Sequence, residues 1–550
     1  MTRRILRTAT QVGILGLCSL FLILVLDNRF RVLPASIHDH LPSHHPGLVV
    51  TDVTIKKCST VNPLSSCSLN SDSWQRIDKD LYLGSAWFSR AYLHVQRKHE
   101  EELLDTDRVV VDLRVGRQNP AKAPRSNPED KQMITEDDWE SRPGGIWLRR
   151  SGERHASDSE EAVTAVDVLF GADAVDPRPQ WEVKDTPILL NGQVEKQEAR
   201  ITLRRGTPPK LKKPVPRIND NGKFKIMQAA DLHLSTGLGK CREPVPEERI
   251  PGQKCEADPR TLEFYEKLLD EEKPDLVVLT GDQVNGDTAR DAQTAVFKFV
   301  KPLVDRKIPY AAIFGNHDDE GNLSRKELMA LIEGLPYSLS SAGPEDVDGV
   351  GNYIVEVLGA LSSDSALTLY LLDTHAYSPN ERQYPGYDWI RPSQIRWFKN
   401  TAQSLQAKHE QYTHMHMNMA FIHIPLPEYA DPNNIWRGNW TEPSTAPAFN
   451  SGFKDALVEE NVLFVSCGHD HVNDYCMLDV EDEKPALWMC YGGGAGFGGY
   501  GGYGGYIRRM RFFEFDMGPG RVVTYKRLEW GDTESRIDEM MIVDGGRVKG

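Results

Sequence analysis

The sequence lacks the marks of several common protein classes. The glycine-rich stretch from Tyr491 to Tyr506 contains no Gly-Lys-Ser or Gly-Lys-Thr, which excludes a nucleotide-binding loop of the P-loop kind. Basic residues are in deficit, because 65 Lys and Arg stand against 80 Asp and Glu and give a formal net charge of -15. An acidic surface argues against a general nucleic-acid binder, so we expect no nucleic-acid partner.

The N-terminus lacks both a full-length membrane span and a clear cleavage site, yet its pattern indicates targeting. Several arginines precede an apolar run from Val12 to Leu26, as in a signal anchor. The run is shorter than the roughly 20 residues of a usual span, and Asp27 follows it instead of small residues. We predict that residues 1–34 form a cytosolic tail and an uncleaved single-pass anchor, with the catalytic part in the endomembrane lumen or outside the cell. A cleaved signal, giving a secreted or vacuolar protein, and a cytosolic catalytic part stay open as alternatives.

Cysteine is sparse, with 8 residues in the 550 of the chain. Cys18 lies in the apolar run and Cys467 in an expected buried strand. Three pairs are close enough in sequence to bridge, although sequence does not fix the connectivity. They are Cys58 with Cys67, Cys241 with Cys255, and Cys476 with Cys490. Glycosylation sequons at Asn322 and Asn439 would be usable only in a lumen, so these features modestly favour a glycoprotein in an oxidising compartment.

Five short polar clusters each follow an apolar run between residues 224 and 471. They are Asp231-Leu232-His233, Gly281-Asp282, Gly315-Asn316-His317-Asp318, His423, and Gly468-His469-Asp470-His471. Short runs rich in Val, Ile, Leu and Phe that end in a glycine or a polar residue are typical of buried strands. Side chains at the carboxyl ends of such strands converge at one edge of a sheet. The clusters are therefore expected to form one site.

Helical patterns separate the runs from about residue 222 to about residue 400. Asp258-Pro259 has the pattern of an N-cap followed by proline at the first helical position, and Ser324 with Glu327 has the pattern of a capping box. Strands outnumber helices after residue 400. The order predicts an α/β catalytic domain over residues 222–530, with two packed mixed sheets and helices outside them.

The rest of the chain is less informative. Residues 50–203 contain three apolar runs and are predicted to form a smaller β-rich domain, with a mobile polar insertion over 117–162. Its role is either to shape the substrate entrance or purely structural. Residues 204–221 are basic and rich in proline and are predicted to be an extended linker. Residues 531–550 are expected to be a C-terminal tail.

Aspartate and histidine are the ligand types expected for manganese, iron or zinc, and a carboxylate can bridge two ions. Asp282 is the best candidate for that bridge. Two cations held roughly 3.5 to 4 Å apart can lower the pKa of a shared water toward neutrality, which makes a nucleophilic hydroxide available at ordinary pH. The clusters thus indicate a hydrolytic site that needs two divalent or trivalent metal ions.

The series D-x-H, G-D, G-N-H-D, H and G-H-x-H resembles the calcineurin-like metallophosphoesterase superfamily, over about residues 222–530. The resemblance implies a four-layer sandwich and two ligand sets. The first metal would be bound by Asp231, His233, Asp282 and His471, and the second by Asp282, Asn316, His423 and His469. Because the histidine of G-N-H contacts the scissile phosphate in that family, the resemblance implies His317 as the acid that assists the leaving oxygen, with Asp318 beside it in support.

The residues from His423 to Tyr429, the glycine-tyrosine run and the stretch from Trp74 to Arg90 resemble fungal phosphoesterases of the dosage-dependent cell-cycle-regulator type and their purple-acid-phosphatase-like relatives. Asn285 stands where true purple acid phosphatases have a metal-binding tyrosine, so the metal pair stays open among Mn, Fe and Zn. Serine/threonine phosphatases have an aspartate at that position, which orients the catalytic histidine. Asn285 could accept a hydrogen bond from His317 but brings no charge.

Arg508 and Arg509 directly follow the glycine-rich run, whose backbone could approach a phosphate closely. They are therefore candidate substrate contacts. The function expected from the resemblance is a phosphomonoesterase acting on phosphorylated proteins or small phosphoesters through a metal-activated hydroxide. A phosphodiesterase acting on lipid or glycolipid head groups and a non-enzymatic, metal-stabilised scaffold are the alternatives.

Overall fold

The computed structural model describes residues 47–62, 65–69, 73–122, 138–152, 155–412, 414–431 and 433–550. The anchor predicted for residues 1–34 lies outside these ranges. Within them, no helix combines the length and the apolar character that a membrane span requires.

The described residues form 23 strands and 5 α-helices. The strands are β1 Leu48–Ser59, β2 Trp74–Arg76, β3 Ser89–His99, β4 Val110–Val115, β5 Trp139–Arg142, β6 Ile146–Arg150, β7 Val163–Phe170, β8 Trp181–Val183, β9 Ala199–Arg205, β10 Lys223–Ala229, β11 Leu276–Thr280, β12 Tyr310–Ile313, β13 Tyr353–Leu358, β14 Ser365–Leu371, β15 Met417–Phe421, β16 Ile435–Arg437, β17 Val462–Cys467, β18 Cys476–Glu481, β19 Lys484–Tyr491, β20 Arg509–Asp516, β21 Arg521–Leu528, β22 Ile537–Asp544 and β23 Arg547–Val548. The helices are α1 Ala257–Glu272, α2 Ala292–Arg306, α3 Arg325–Glu333, α4 Pro392–His409 and α5 Phe453–Glu459.

Two seven-stranded mixed sheets form the centre of the catalytic part. Their strand orders are β12-β11-β10-β20-β21-β22-β23 and β13-β14-β15-β17-β19-β18-β16. Strands β10, β11 and β12 are parallel to one another, and so are β14, β15, β17 and β19. The parallel strands are apolar on both faces because each sheet is covered on both sides.

Alternation along the strands separates the two faces of each sheet. Val278 of β11 faces the second sheet and packs in one core with Leu369 and Phe421. Val277 and Leu279 point the other way, toward helices α1 and α2. Helices α4 and α5 cover the outer face of the second sheet in the same manner. The predicted α/β metallophosphoesterase sandwich of two mixed sheets flanked by helices is confirmed.

The helix starts agree only in part with the sequence patterns. Helix α3 begins after Ser324, whose capping box with Glu327 is formed. The prediction that Asp258 caps α1 was wrong, because Glu256 is the N-cap residue. The Asp258 carboxylate lies inside the first turn, where it accepts a hydrogen bond from Ser235 N at 2.8 Å and pairs with Lys298.

Three antiparallel sheets of three strands form the N-terminal part, in the orders β1-β3-β2, β4-β6-β5 and β7-β9-β8. They share one apolar core. Part of the segment interpreted as a mobile insertion is ordered, since β5 and β6 lie within it and bury Ile146 and Leu148. The predicted C-terminal tail contains β22 and β23, which extend the first seven-stranded sheet. The sequence analysis missed these two regions of strand because many of their residues are polar, since each strand has only one face in the core.

The three candidate cysteine pairs form disulfides, and Cys467 is free and buried in β17. The N-terminal sheets contact the catalytic part at α2. Phe170 N donates a hydrogen bond to Thr294 Oγ1 at 3.2 Å, and Lys298 pairs with Asp173 at 2.5 Å. Gln197 donates to Thr236 O at 2.7 Å. These contacts brace the loop that follows His233.

Candidate metal centre

The five polar clusters lie together at one edge of the sandwich. They follow the carboxyl ends of β10, β11, β12, β15 and β17, as the strand interpretation predicts. The side chains are buried, with Asp231 and His423 fully inaccessible to solvent. The geometry therefore brings together the six aspartate and histidine residues that the sequence singled out as metal ligands.

One half of the centre consists of Asp231, His233 and His471, whose donor atoms lie within 4.8 Å of one another. His471 Nε2 is 3.4 Å from Asp231 Oδ1 and 3.0 Å from His233 Nε2. Burial, followed by the neighbouring His471, lowers the pKa of His233 to about 3. The imidazole of His233 is therefore neutral and can act as a metal ligand.

The other half consists of Asp282, His423 and His469. His423 Nε2 lies 3.2 Å from Asp282 Oδ2, and the same oxygen lies 3.9 Å from His233 Nε2. Asp282 thus faces both halves, which is the position that a bridging carboxylate requires.

The donors fit a pair of metal ions. Asn316 Oδ1, His423 Nε2 and His469 Nε2 are buried and have no hydrogen-bond partner in the described structure. Buried polar atoms without partners are destabilising, so a cation that accepts their lone pairs would remove the penalty. Mixed nitrogen and oxygen donors are compatible with Mn, Fe or Zn and do not select among them.

Hydrogen bonds from the far side of two rings fix their orientation. His423 Nδ1 lies 2.8 Å from Thr280 O, and His471 Nδ1 lies 2.9 Å from Tyr500 O. A carbonyl oxygen only accepts, so each Nδ1 carries a proton and each Nε2 is left to face the centre, where it can serve as a metal ligand. Tyr500 also stacks on the ring of His471 at 3.9 Å.

The backbone at the ligands is unusual. Asp231, His233, Asp282 and His469 all have φ between 47° and 77°, a region that residues with a Cβ rarely occupy. Gly281 has φ of 89°, and a Cβ there would lie 2.5 Å from His423 Nδ1 and 2.6 Å from Gly315 N. Only glycine fits at this crossing of three loops.

Asp318 holds two of these loops together. Its carboxylate accepts hydrogen bonds from the backbone N–H groups of Gly315 at 2.7 Å, Asp282 at 2.8 Å and Val284 at 2.9 Å. The supporting role expected for Asp318 therefore has a specific form, since it clamps the loop of Asp282 to the loop that contains Asn316.

Glu320 is a site residue that the sequence interpretation missed. His317 Nδ1 lies 2.6 Å from Glu320 Oε2, and Tyr377 donates a hydrogen bond to the other carboxylate oxygen at 3.2 Å. Burial lowers the pKa of His317, but the charges of Asp282 and Glu320 outweigh it and raise the pKa above its ordinary value. The acidic residues after the G-N-H motif were the available signal.

Asn285 does not take that place. Its amide donates to Gly498 O at 3.4 Å. Position 285 has no carboxylate in this chain, and the carboxylate that contacts the imidazole of His317 is that of Glu320, three residues after it. The expectation that Asn285 would accept a hydrogen bond from His317 is therefore corrected.

Arg508 and Arg509 do not fit their expected role as substrate contacts. Both are buried, at 0% and 6% exposure. Arg508 donates to the carbonyl oxygens of Gly496, Tyr506 and Arg242, and Arg509 pairs with Asp474 at 2.5 Å. Their donors shape the glycine-rich loop from within, so they are not available to a phosphate.

The fold and the centre define a calcineurin-like phosphoesterase. A family model described as Calcineurin-like phosphoesterase matches residues 224–473 of the sequence. The chain belongs to this family and is a metal-dependent phosphoric ester hydrolase, which confirms the resemblance found in the sequence.

Among its relatives is Phosphatase DCR2 from Saccharomyces cerevisiae, which is 40% identical over 403 residues, or 70% of this chain and 67% of that protein. An uncharacterised protein from Schizosaccharomyces pombe, C1020.05, is 32% identical over 500 residues, or 89% of this chain and 88% of that protein. Probable inactive purple acid phosphatase 29 from Arabidopsis thaliana is 37% identical over 339 residues, which cover 59% of this chain and 84% of that protein.

Proposed function

We propose that the protein is a phosphomonoesterase that works with two metal ions and acts on phosphorylated proteins. The observation that carries the proposal is the position of Asp282 Oδ2, which faces His233 Nε2 at 3.9 Å on one side and His423 Nε2 at 3.2 Å on the other. When bound, two ions at this centre would lower the pKa of a water molecule and supply positive charge.

The protein's own residues supply the proton and the orientation. Asp231, His233, Asp282 and His471 would hold one ion, and Asp282, Asn316, His423 and His469 would hold the other. His317 lies beside the centre, where its ring is 5.5 Å from that of His233. The charges of Asp282 and Glu320 raise its pKa and so favour the protonated form, which can protonate the departing oxygen. Glu320 holds the ring through Nδ1, which leaves Nε2 as the nitrogen that can deliver the proton.

A large cleft beside the centre supports the proposal that the substrate is bulky. It has a volume of about 770 Å³ and includes Asn285, Gly498 and Tyr500 together with the exposed Lys240 and Arg242. A cleft of this size can accommodate a phosphorylated side chain with part of its flanking backbone. The two cationic side chains would attract the negative charge of a phosphorylated segment.

The full-length chain, reconstituted with manganese, iron or zinc, should be assayed on an aryl phosphate monoester, the matching diester and a phosphoserine peptide. His317→Ala and Asp282→Asn should each abolish most of the turnover, while the exposed His414 gives a matched control in His414→Ala. A diester preference would favour the phosphodiesterase. Turnover of the aryl ester without any turnover of the peptide would contradict the substrate class, and no turnover with any metal would favour the scaffold.

We also propose that the catalytic part resides in a lumen or outside the cell. Three disulfides support this placement, because such bonds persist in oxidising compartments. Protection of residues 47–550 from added protease in intact microsomes is the expected result. Complete digestion without detergent would place the catalytic part in the cytosol.

A further inference from the structure

A second cleft, of about 630 Å³, lies in the N-terminal part of the molecule. Arg97 of β3 and Arg204 of β9 face it, together with Arg178 and Trp181. The cleft shares no residue with the metal centre. Three arginines and one tryptophan therefore share this cleft in a chain with a net charge of -15, and the guanidinium groups of Arg178 and Arg204 lie 3.6 Å and 5.7 Å from the centre of the Trp181 ring.

The positive charge in this cleft is only partly balanced. Arg178 pairs with Asp176 at 2.7 Å and with Asp167 at 3.0 Å, and it stacks on Trp181 at 3.6 Å. Asp167 is the acidic group that lines the cleft, and it already serves Arg178, while Lys79 lies 3.9 Å from it. Arg178, Asp167 and Asp176 therefore form one set of ion pairs.

Arg97 and Arg204 lie outside that set. Neither forms an ion pair with a carboxylate within the described ranges of the chain. Arg97 Nε is buried and has no hydrogen-bond partner there, and Arg204 Nε donates to Thr164 Oγ1 at 3.2 Å. Both side chains are half-buried, and a guanidinium group that is partly withdrawn from water without a counter-ion is destabilising.

Electrostatics within the cleft agrees with this deficit. Burial lowers the pKa of Arg97 although the charge of Asp167 raises it in part, and burial together with the charges of Arg178 and Arg97 lowers the pKa of Arg204. An anion bound by both side chains would offset the cost of their desolvation and the repulsion between their positive charges. Guanidinium groups present forked donors that match the oxygens of a tetrahedral oxyanion.

We propose that this cleft is a binding site for a phosphate-type dianion, held by the guanidinium groups of Arg97 and Arg204. Thr164 contributes to the arrangement by holding Arg204, and its hydroxyl is itself tied to Gly206 O at 2.6 Å. The proposal is independent of the catalytic function, since it concerns residues that do not contact the metal centre.

The test must exclude phosphate binding at the metal centre. The full-length Asp282→Asn protein is therefore freed of metal with a chelator and titrated calorimetrically with inorganic phosphate at constant ionic strength. The same titration is made with Arg97→Gln and Arg204→Gln combined in that background. Arg90→Gln, which removes an exposed arginine from the same strand as Arg97, is the matched control.

Saturable binding that the double variant weakens by about tenfold or more, and the control by less than about twofold, is expected from the loss of two charge-assisted contacts. Phosphate should also raise the Tm of the parent and of the control, but not that of the double variant. Absence of saturable binding in the parent, or equal binding by the double variant, would overturn the proposal. If the double variant does not fold, Arg204→Gln alone must show the weakened binding.

Discussion

Replacing Glu320 with glutamine tests the contact that orients His317. The substitution keeps the size of the side chain and removes its charge. A hydrogen bond between charged groups contributes about 1.5–3 kcal/mol when it is buried. The two side chains here are 35% and 27% exposed, so screening by water reduces the expected loss to about 1–2 kcal/mol. That loss corresponds to a decrease in kcat of roughly 5- to 30-fold.

The assay is hydrolysis of an aryl phosphate monoester at saturating metal, with kcat and KM measured separately. KM and the bound metal content should change little, because Glu320 contacts neither the ligands nor the cleft of Lys240. In the His317→Ala background, Glu320→Gln should have no further effect on kcat, since its action passes through the imidazole. An unchanged kcat in the single variant, or a full additional loss in the double variant, would refute this role.

Three further results are expected. Asp318→Asn places an amide N–H against one of three buried backbone donors, so it should lower the free energy of unfolding by about 1–3 kcal/mol in urea titrations and weaken metal retention; unchanged values would contradict the clamp. Chelation should lower the Tm of the native chain but not that of a variant in which Asp282 is replaced by asparagine, as calorimetry will show. Lys298→Met leaves Asp258 buried and unpaired and should lower the free energy of unfolding by about 3–5 kcal/mol. Burial already raises the pKa of Asp258 to about 6, above its value in the unfolded chain. A buried carboxyl with a raised pKa is tolerated while it is protonated and destabilises the fold once it is charged, so this loss should be larger at pH 8 than at pH 5.

The strands and the ligands were accessible from the sequence because their signals are local. An apolar run such as Leu276 to Thr280 is buried on both faces, and the polar residue that ends it stands at the sheet edge. One such pattern determines both a strand and the position of its ligand. Five patterns in order were therefore enough to anticipate which side chains the fold brings together.

The role of Glu320 depends on the conformation of a turn that the sequence does not specify. The same limit applies to Arg508, which looked available beside a glycine-rich run. Its partners are carbonyl oxygens of segments more than 260 residues away as well as nearby ones. Strand β22 was overlooked because its polar residues outnumber those that reach the core, and only its pairing with β21 reveals its place.

The left-handed backbone at Asp231, His233, Asp282 and His469 has a consequence for how the protein can change. Each such residue costs about 1 kcal/mol relative to glycine, so the four together cost about 4 kcal/mol, a large share of a typical net stability of about 5–15 kcal/mol. The chemistry is thus held in place against the conformational preference of its own ligands. Substitutions of these residues to glycine would remove ligands and relax the backbone at the same time, so the loss of the metal centre would be accompanied by a gain in the stability of the metal-free fold.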